Sequence, residues 1–122
     1  MIPSVYNFFV SNTLIGALIK LVAGFAVKRS MPALSKTTLL SWYKQHRNEN
    51  SGNRKVYLFC DEFTNYNDAH IGITGSLLLE KLGYEVIIPA HEESVRARLS
   101  KGLLRDAQKI ANRNISLLSP LV

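Results

Sequence analysis

A chain of 122 residues, 47% apolar and 20% charged, has the size and composition of one globular domain and excludes a disordered segment. The net charge of +6 comes from scattered Lys and Arg, which favours solvated faces over a nucleic-acid site. A single cysteine excludes an internal disulfide and any metal site that needs several thiolates of this chain. It also agrees with a reducing cytoplasm, where we expect the protein to lie.

The amino-terminal third is predicted to be helical. A short helix is expected at residues 5–10 and a longer one at residues 14–27, capped by Asn12 or Thr13. The run at 14–27 is too short to span a bilayer and is interrupted by Lys20, and its basic residues follow it, unlike those of a signal peptide. We expect its apolar stripe to pack on this domain or on a neighbouring one, with contact to a membrane surface as the less favoured alternative. The stripe consists of Leu14, Leu18, Leu21, Val22 and Phe25.

A third helix is predicted at residues 36–46, where Trp42 is expected to pack rather than to anchor an interface. Residues 47–54 are polar, contain glycine and lack any period, which is typical of a linker. We therefore divide the chain into a helical segment (1–46), a linker (47–54) and a partial α/β domain (55–122).

Residues 56–60 and 84–88 are short apolar runs rich in β-branched residues, which indicates two strands. Between them, helical spacing begins at Ala69 and Gly83 occupies the position of a helix C-cap. A strand, a crossover helix and a strand form a βαβ unit with parallel strands.

A last helix with one apolar face is predicted at residues 101–118, after an irregular segment that follows Pro89. The fold class is therefore α/β: a βαβα unit preceded by helices. Because a two-stranded sheet is marginal alone, we expect a fragment of a larger protein that self-associates through its open sheet edge or the helix at 14–27.

The segments after both strands carry polar residues and should meet at one edge of the sheet. These loops are expected to be polar because they are exposed to solvent, and a metal site there or a phosphorylatable Asp61 is a minor alternative. Cys60 is expected to be a buried residue at the end of the strand. Residues 61–67, expected to form a loop, contain no glycine, which argues against a dinucleotide cradle. If the chain retains a site, we expect it at Asp61, Glu62, Tyr66, His91 and Glu93.

Three sequence pieces carry a resemblance: V-Y-L-F-C-D-E-F-T-N-Y at 56–66, L-E-K-L-G-Y-E-V-I-I-P at 79–89 and S-K-G-L-L-R-D-A at 100–107. With them, the second part of the chain resembles the cysteine-rich (CCG-type) domain of iron–sulfur oxidoreductases associated with or fused to FAD-linked glycolate and D-lactate dehydrogenases. Residues 24–32 and 35–39 are similar to the segment that leads from a helical ferredoxin-like domain in such proteins.

The chain departs from this family at the cluster cysteines. Glu93, Ser94 and Val95 stand where the family has paired cysteines and a glycine. An earlier family cysteine would fall near Glu62, about two residues beyond Cys60. The resemblance therefore implies a domain without its own cluster, while FAD and an iron–sulfur cluster belong to the full-length protein.

The resemblance implies a structural or electron-transfer scaffold module of a flavin/iron–sulfur oxidoreductase, not catalytic by itself. Its expected partners are the remaining domains or subunits of the dehydrogenase and a second copy of the chain. The residues leave another hypothesis open: a free-standing flavodoxin-like binding or regulatory domain that uses the loops of Asp61 and His91.

Overall fold

A computed structural model describes residues 3–46 and 53–121, and it confirms an α/β chain with a parallel two-stranded sheet. The predicted linker at 47–54 lies outside the described residues except for its last two positions. The helices are α1 (Pro3–Ser11), α2 (Thr13–Val22), α3 (Leu39–His46), α4 (Glu62–Tyr66), α5 (Ala69–Lys81), α6 (Arg96–Ser100) and α7 (Leu104–Leu118), the strands are β1 (Arg54–Tyr57) and β2 (Tyr84–Ile87), and a 3-10 turn covers Ser119–Leu121.

The sheet pairs β1 with β2 in parallel, from Arg54 opposite Tyr84 to Tyr57 opposite Ile87. The Arg54 guanidinium lies 4.4 Å from the centre of the Tyr84 ring, so the pairing starts with a cation–π contact. β1, at Arg54–Tyr57, begins and ends earlier than the strand predicted at 56–60. The pairing continues for one more bond, because the Leu58 N–H donates to the carbonyl of Ile87 at 2.8 Å.

The crossover helix α5 follows the prediction from the sequence. It starts at Ala69, and Gly83 follows its C-cap with a φ of 86°. That left-handed conformation is accessible to glycine without the Cβ clash that other residues suffer. The Gly83 N–H donates to the carbonyl of Glu80 at 2.9 Å and closes the last turn before β2.

Helix α3 packs directly against the βαβα unit. Leu39 is fully buried beside Cys60 and Ala69, and Trp42 packs against this cluster, as predicted for an ordinary core contact. A Cβ added to Gly72 would meet the side chains of Leu39 and Thr64, so the absence of a side chain there allows the close approach of α3 to α5.

The start of α3 differs from the prediction at residue 36. The Thr38 Oγ1 accepts the backbone N–H of Ser41 at 3.1 Å, as an N-cap side chain does, and the helix begins at Leu39. At its other end, the His46 Nε2 lies 2.8 Å from a carboxylate oxygen of Glu80 on α5. Both ends of α3 are therefore held by polar contacts.

Helix α2 is shorter than the predicted helix at 14–27. Asn12 is its N-cap, as one of the two predicted alternatives, and its Oδ1 accepts the N–H groups of Leu14 and Ile15 at 3.1 Å. The helix ends at Val22, because Gly24 turns the chain with a φ of 73° and the N–H of Phe25 returns to the carbonyl of Lys20. No single described helix could span a bilayer; only α1 and α2 taken together, bent by 90°, have the length and composition for it.

Three further predictions need correction. Residues 61–67, expected to form a loop, contain helix α4, because the Asp61 Oδ1 caps the N–H of Thr64 at 2.7 Å. The segment after Pro89 is irregular at first, as expected, but from Arg96 it forms α6, which was not predicted. Helix α7 begins at residue 104 rather than 101, since Gly102, with a φ of 72°, separates it from α6.

Candidate functional site at the strand-end edge

The segments that follow β1 and β2 lie side by side at one edge of the sheet. The Cys60 N–H, just after β1, donates to the Nε2 of His91, just after β2, at 3.1 Å. The His91 ring also stacks on Phe59, with 4.1 Å between the ring centres. The two segments therefore lie together, as expected for the ends of parallel strands, and the imidazole of His91 forms the contact between them.

The hydrogen bonds of His91 determine its tautomer. Its Nδ1 lies 2.7 Å from the carbonyl of Glu92, which can only accept, so Nδ1 carries the proton. Its Nε2 accepts from Cys60, so the ring is neutral when both bonds are made. Both nitrogens are occupied by the backbone, which leaves His91 no lone pair for a metal ion or a substrate.

Glu62, in the first turn of α4, ties the two segments together a second time. One carboxylate oxygen accepts the N–H of Ser94 at 2.9 Å and the other accepts the Ser94 hydroxyl at 2.8 Å. Hydrogen bonds to a carboxylate are stronger than those between neutral groups. This bidentate contact fixes the segment after β2 to the segment after β1.

The three other predicted site residues do not converge on these two contacts. Asp61 is used as the cap of α4, and the carboxylate of Glu93 lies 3.1 Å from the guanidinium of Arg98 on the surface. Tyr66 makes neither contact and lines a groove of about 640 Å³ between α4 and the segment before α3, which Glu62 also lines. The structure thus brings Glu62 and His91 into one network and leaves Tyr66 and Glu93 at its periphery.

Asn114 on α7 is a member of this network that the sequence did not indicate. Its Oδ1 accepts the N–H of Glu92 at 2.8 Å and its Nδ2 donates to the carbonyl of Glu93 at 3.2 Å. An asparagine on the polar side of a predicted helix carries no signal for a contact with a loop 21 or 22 residues earlier. The segment after β2 is consequently held from both sides, by α4 and by α7.

Cys60 is the only thiol, and its surroundings disfavour the thiolate. Its side chain is buried, and burial, with the nearby charge of Asp61 as a smaller cause, raises the pKa of the thiol from 9.0 to about 11. Cluster ligands and nucleophilic cysteines react as thiolates. Across residues 3–46 and 53–121, no three or more His, Cys, Asp or Glu side chains form a group suited to a metal ion. These donors do not fit an iron–sulfur cluster.

Comparison with known proteins yields one informative match. No family model and no solved structure matches the chain. It is similar to the D-2-hydroxyglutarate dehydrogenase of Escherichia coli (strain K12), at 26% identity over 129 residues. The match covers 96% of this chain but 12% of the relative. The chain is thus distantly related to a short segment of that dehydrogenase.

Proposed function

We propose that this chain is a structural module of a flavin/iron–sulfur oxidoreductase of the glycolate/D-lactate dehydrogenase type, and that it carries no cluster of its own. The match to D-2-hydroxyglutarate dehydrogenase carries the proposal, because it runs over 96% of this chain and 12% of the relative. Oxidation of a 2-hydroxy acid, FAD and the clusters then belong to the rest of such an enzyme. The module would lie in the cytoplasm with those domains or subunits as its partners.

The chemistry of Cys60 supports the cluster-free part of the proposal. A buried thiol with a pKa of about 11 is protonated at neutral pH, and its own backbone N–H is engaged with His91. No second cysteine is present in the sequence to complete a ligand set. Any cluster next to this module must therefore be held by thiolates of other segments.

The strand-end network supports a scaffold role. The polar side-chain atoms of Glu62, His91 and Asn114 are hydrogen-bonded to backbone or side-chain groups of the chain, and each residue makes at least one bond to a neighbouring segment. A satisfied network of this kind makes the edge rigid and specifies one arrangement of its loops. Such an edge suits the support of a neighbouring electron-transfer domain better than the capture of a small ligand.

A chimaeric enzyme tests the proposal. In the E. coli D-2-hydroxyglutarate dehydrogenase, the segment that matches this chain is replaced by this chain, and the oxidation of D-2-hydroxyglutarate by an artificial acceptor is measured. We expect the chimaera to retain activity and a variant lacking the segment to lose it. A deletion variant as active as an active chimaera would show that the segment does not support the activity of the enzyme.

The cluster-free part has its own readout in the same chimaera. Cys60→Ser should leave the iron and sulfide content per polypeptide unchanged, because the thiol ligates no iron. A stoichiometric loss of iron in this variant, with the flavin content unchanged, would refute this part and leave the scaffold role standing.

A further inference from the structure

Strand β1 and its extension to Phe59 are apolar on both faces, although one face is half-exposed. Leu58, directly after the strand, packs against the buried cluster that includes Leu39. Side chains alternate along an extended backbone, so Tyr57 and Phe59 lie on the opposite face, where they are 42% and 40% exposed. Apolar residues on both faces are typical of an interior strand of a parallel sheet that is covered on both sides. β1 therefore has the composition of an interior strand and the position of an edge strand.

The backbone of β1 is paired on one side. The Leu58 N–H donates to the carbonyl of Ile87 on β2, and successive residues of a parallel ladder direct their backbone groups alternately to the two sides. Lys55, Tyr57 and Phe59 therefore direct theirs away from β2. Within the described part of the chain, no other segment forms a backbone hydrogen bond with these three residues. Such a row of backbone donors and acceptors fits one kind of occupant, which is another β-strand.

The helices that follow β1 and β2 lie on opposite faces of the sheet. Ile73 of α5 packs against the same buried cluster as Leu58, so α5 covers that face. On the other face, Tyr57 and Phe59 line a groove of about 150 Å³ together with Leu118 of α7. The end of α7 therefore lies beside the half-exposed aromatic side chains of the β1 segment.

This opposite placement of α5 and α7 determines which edge a following strand joins. Crossovers between parallel strands of one sheet are right-handed in nearly all proteins. Two right-handed crossovers whose helices lie on opposite faces step in opposite directions across the sheet. Because α5 leads from β1 to β2, a strand reached from β2 through α7 lies on the far side of β1. The same strand beside β2 would need a left-handed crossover.

We propose that the open edge of β1 binds a third parallel strand, which the polypeptide beyond residue 122 supplies in the full-length oxidoreductase. The inference rests on the proposed function, because it requires that the chain is one segment of a longer enzyme. β1 then becomes the central strand, and Lys55, Tyr57 and Phe59 obtain partners for their backbone groups. A strand joined to α7 pairs within one polypeptide and at a high effective concentration, which favours it over the edge of a second copy.

Amide hydrogen exchange of the intact 122-residue chain and of the chimaeric dehydrogenase tests the proposal. In the 122-residue chain, the Leu58 amide should be protected by its bond to β2, and the Tyr57 and Phe59 amides should not. In the chimaera, the third strand should slow exchange at Tyr57 and Phe59 about a hundredfold. Equally fast exchange at these two amides in both proteins, with Leu58 protected, would overturn the proposal.

Two variants of the chimaera separate the backbone contact from the packing of the Tyr57 ring. Tyr57→Pro and Tyr57→Ala both remove the ring, but the proline alone removes the N–H that faces the open edge and leaves the bonds to β2 in place. Protection of the Phe59 amide should be about tenfold lower in Tyr57→Pro than in Tyr57→Ala. Equal protection in the two variants would mean that no strand bonds to this edge. The Leu58 amide checks that β1 and β2 stay paired in both.

The activity of the chimaera reports the proposed function separately from the strand. An active chimaera with unprotected Tyr57 and Phe59 amides would overturn the third strand and leave the scaffold role standing. An inactive chimaera in which both amides become protected would overturn the scaffold role and support the third strand. Protection of both amides in the 122-residue chain that increases with its concentration would assign the edge to a second copy and overturn the proposal.

Peptides decide the question if fast exchange at Leu58 shows that the chimaera does not fold. Overlapping synthetic peptides that cover the region after the matching segment of the E. coli dehydrogenase are added to the 122-residue chain. One of them should slow exchange at Tyr57 and Phe59 and should bind about tenfold more weakly to Tyr57→Pro than to Tyr57→Ala. If no peptide protects these amides, or if the two variants bind it equally, the proposal is wrong.

Discussion

The strand-end edge and the surface of α2 are opposites within one chain. At the edge, His91 and Glu62 have polar groups of the kind that bind ligands, yet hydrogen bonds within the chain satisfy them. On α2, apolar side chains of the kind that build cores are exposed, among them Leu14, Leu18 and Leu21. The residues that look functional are used for structure, whereas residues that look structural form the open surface.

The largest effect should separate the buried and exposed leucines. Leu39→Ala leaves a cavity between α3 and α5 and should lower the free energy of unfolding by about 2–5 kcal/mol. Leu14→Ala, at a side chain that is exposed in the absence of a partner, should change it by less than about 0.5 kcal/mol. Urea denaturation of the two variants measures both values. A loss of similar size at Leu14 would mean that this face of α2 is buried in solution.

The two glycines of α5 sharpen the same contrast on one helix. Gly72→Ala should destabilise the chain by about 1–3 kcal/mol, because the new methyl group meets Leu39 and Thr64. Gly75 has no atom within 4 Å of an added Cβ, so Gly75→Ala should stabilise the helix by about 0.5–1 kcal/mol. Thermal unfolding should therefore shift in opposite directions. A shift of the unfolding temperature in the same direction for both variants would mean that α3 does not contact α5 at Gly72.

At the strand-end edge, Glu62→Gln should cost about 1 kcal/mol of unfolding free energy. The amide keeps the size of the side chain but removes one of the two acceptors of Ser94. Glu93→Gln, in an exposed ion pair with Arg98, is the control and should cost about 0–0.5 kcal/mol. Hydrogen exchange at the Ser94 amide should accelerate in the first variant only. Unchanged exchange would show that the two strand-end segments are not held by this carboxylate.

The smallest effect at neutral pH concerns Cys60. The thiol has a pKa of about 11 in the folded chain against 9.0 ordinarily, so unfolding releases a proton between these values. Its contribution to stability is therefore complete below pH 9 and declines as the pH rises towards 11. Urea midpoints should fall more steeply with pH in the parent chain than in Cys60→Ala. Parallel pH profiles would mean that the thiol is solvated.

Sequence patterns located the elements whose signals lie within one or two turns. The period of the apolar residues and Gly83 predicted α5 and its end, and Asn12 was one of two predicted caps of α2. The same local rules missed α4, although an aspartate with a free N–H three residues later is a capping signal. The polar composition of residues 61–67 suggested a loop and outweighed this capping signal.

By itself, the sequence determined the βαβα order, the parallel strands and the burial of Cys60, because these depend on chain order and short-range hydrophobic periodicity. Only the tertiary structure decided the partners of His91, Glu62 and Asn114, since these bonds join side chains 21 to 32 residues from the groups they contact. It also decided that α2 turns its leucines outward, through the contact of Gly16 with Val10. A periodic stripe indicates that a helix has an apolar face, whereas the packing of the neighbouring helix determines which way that face points.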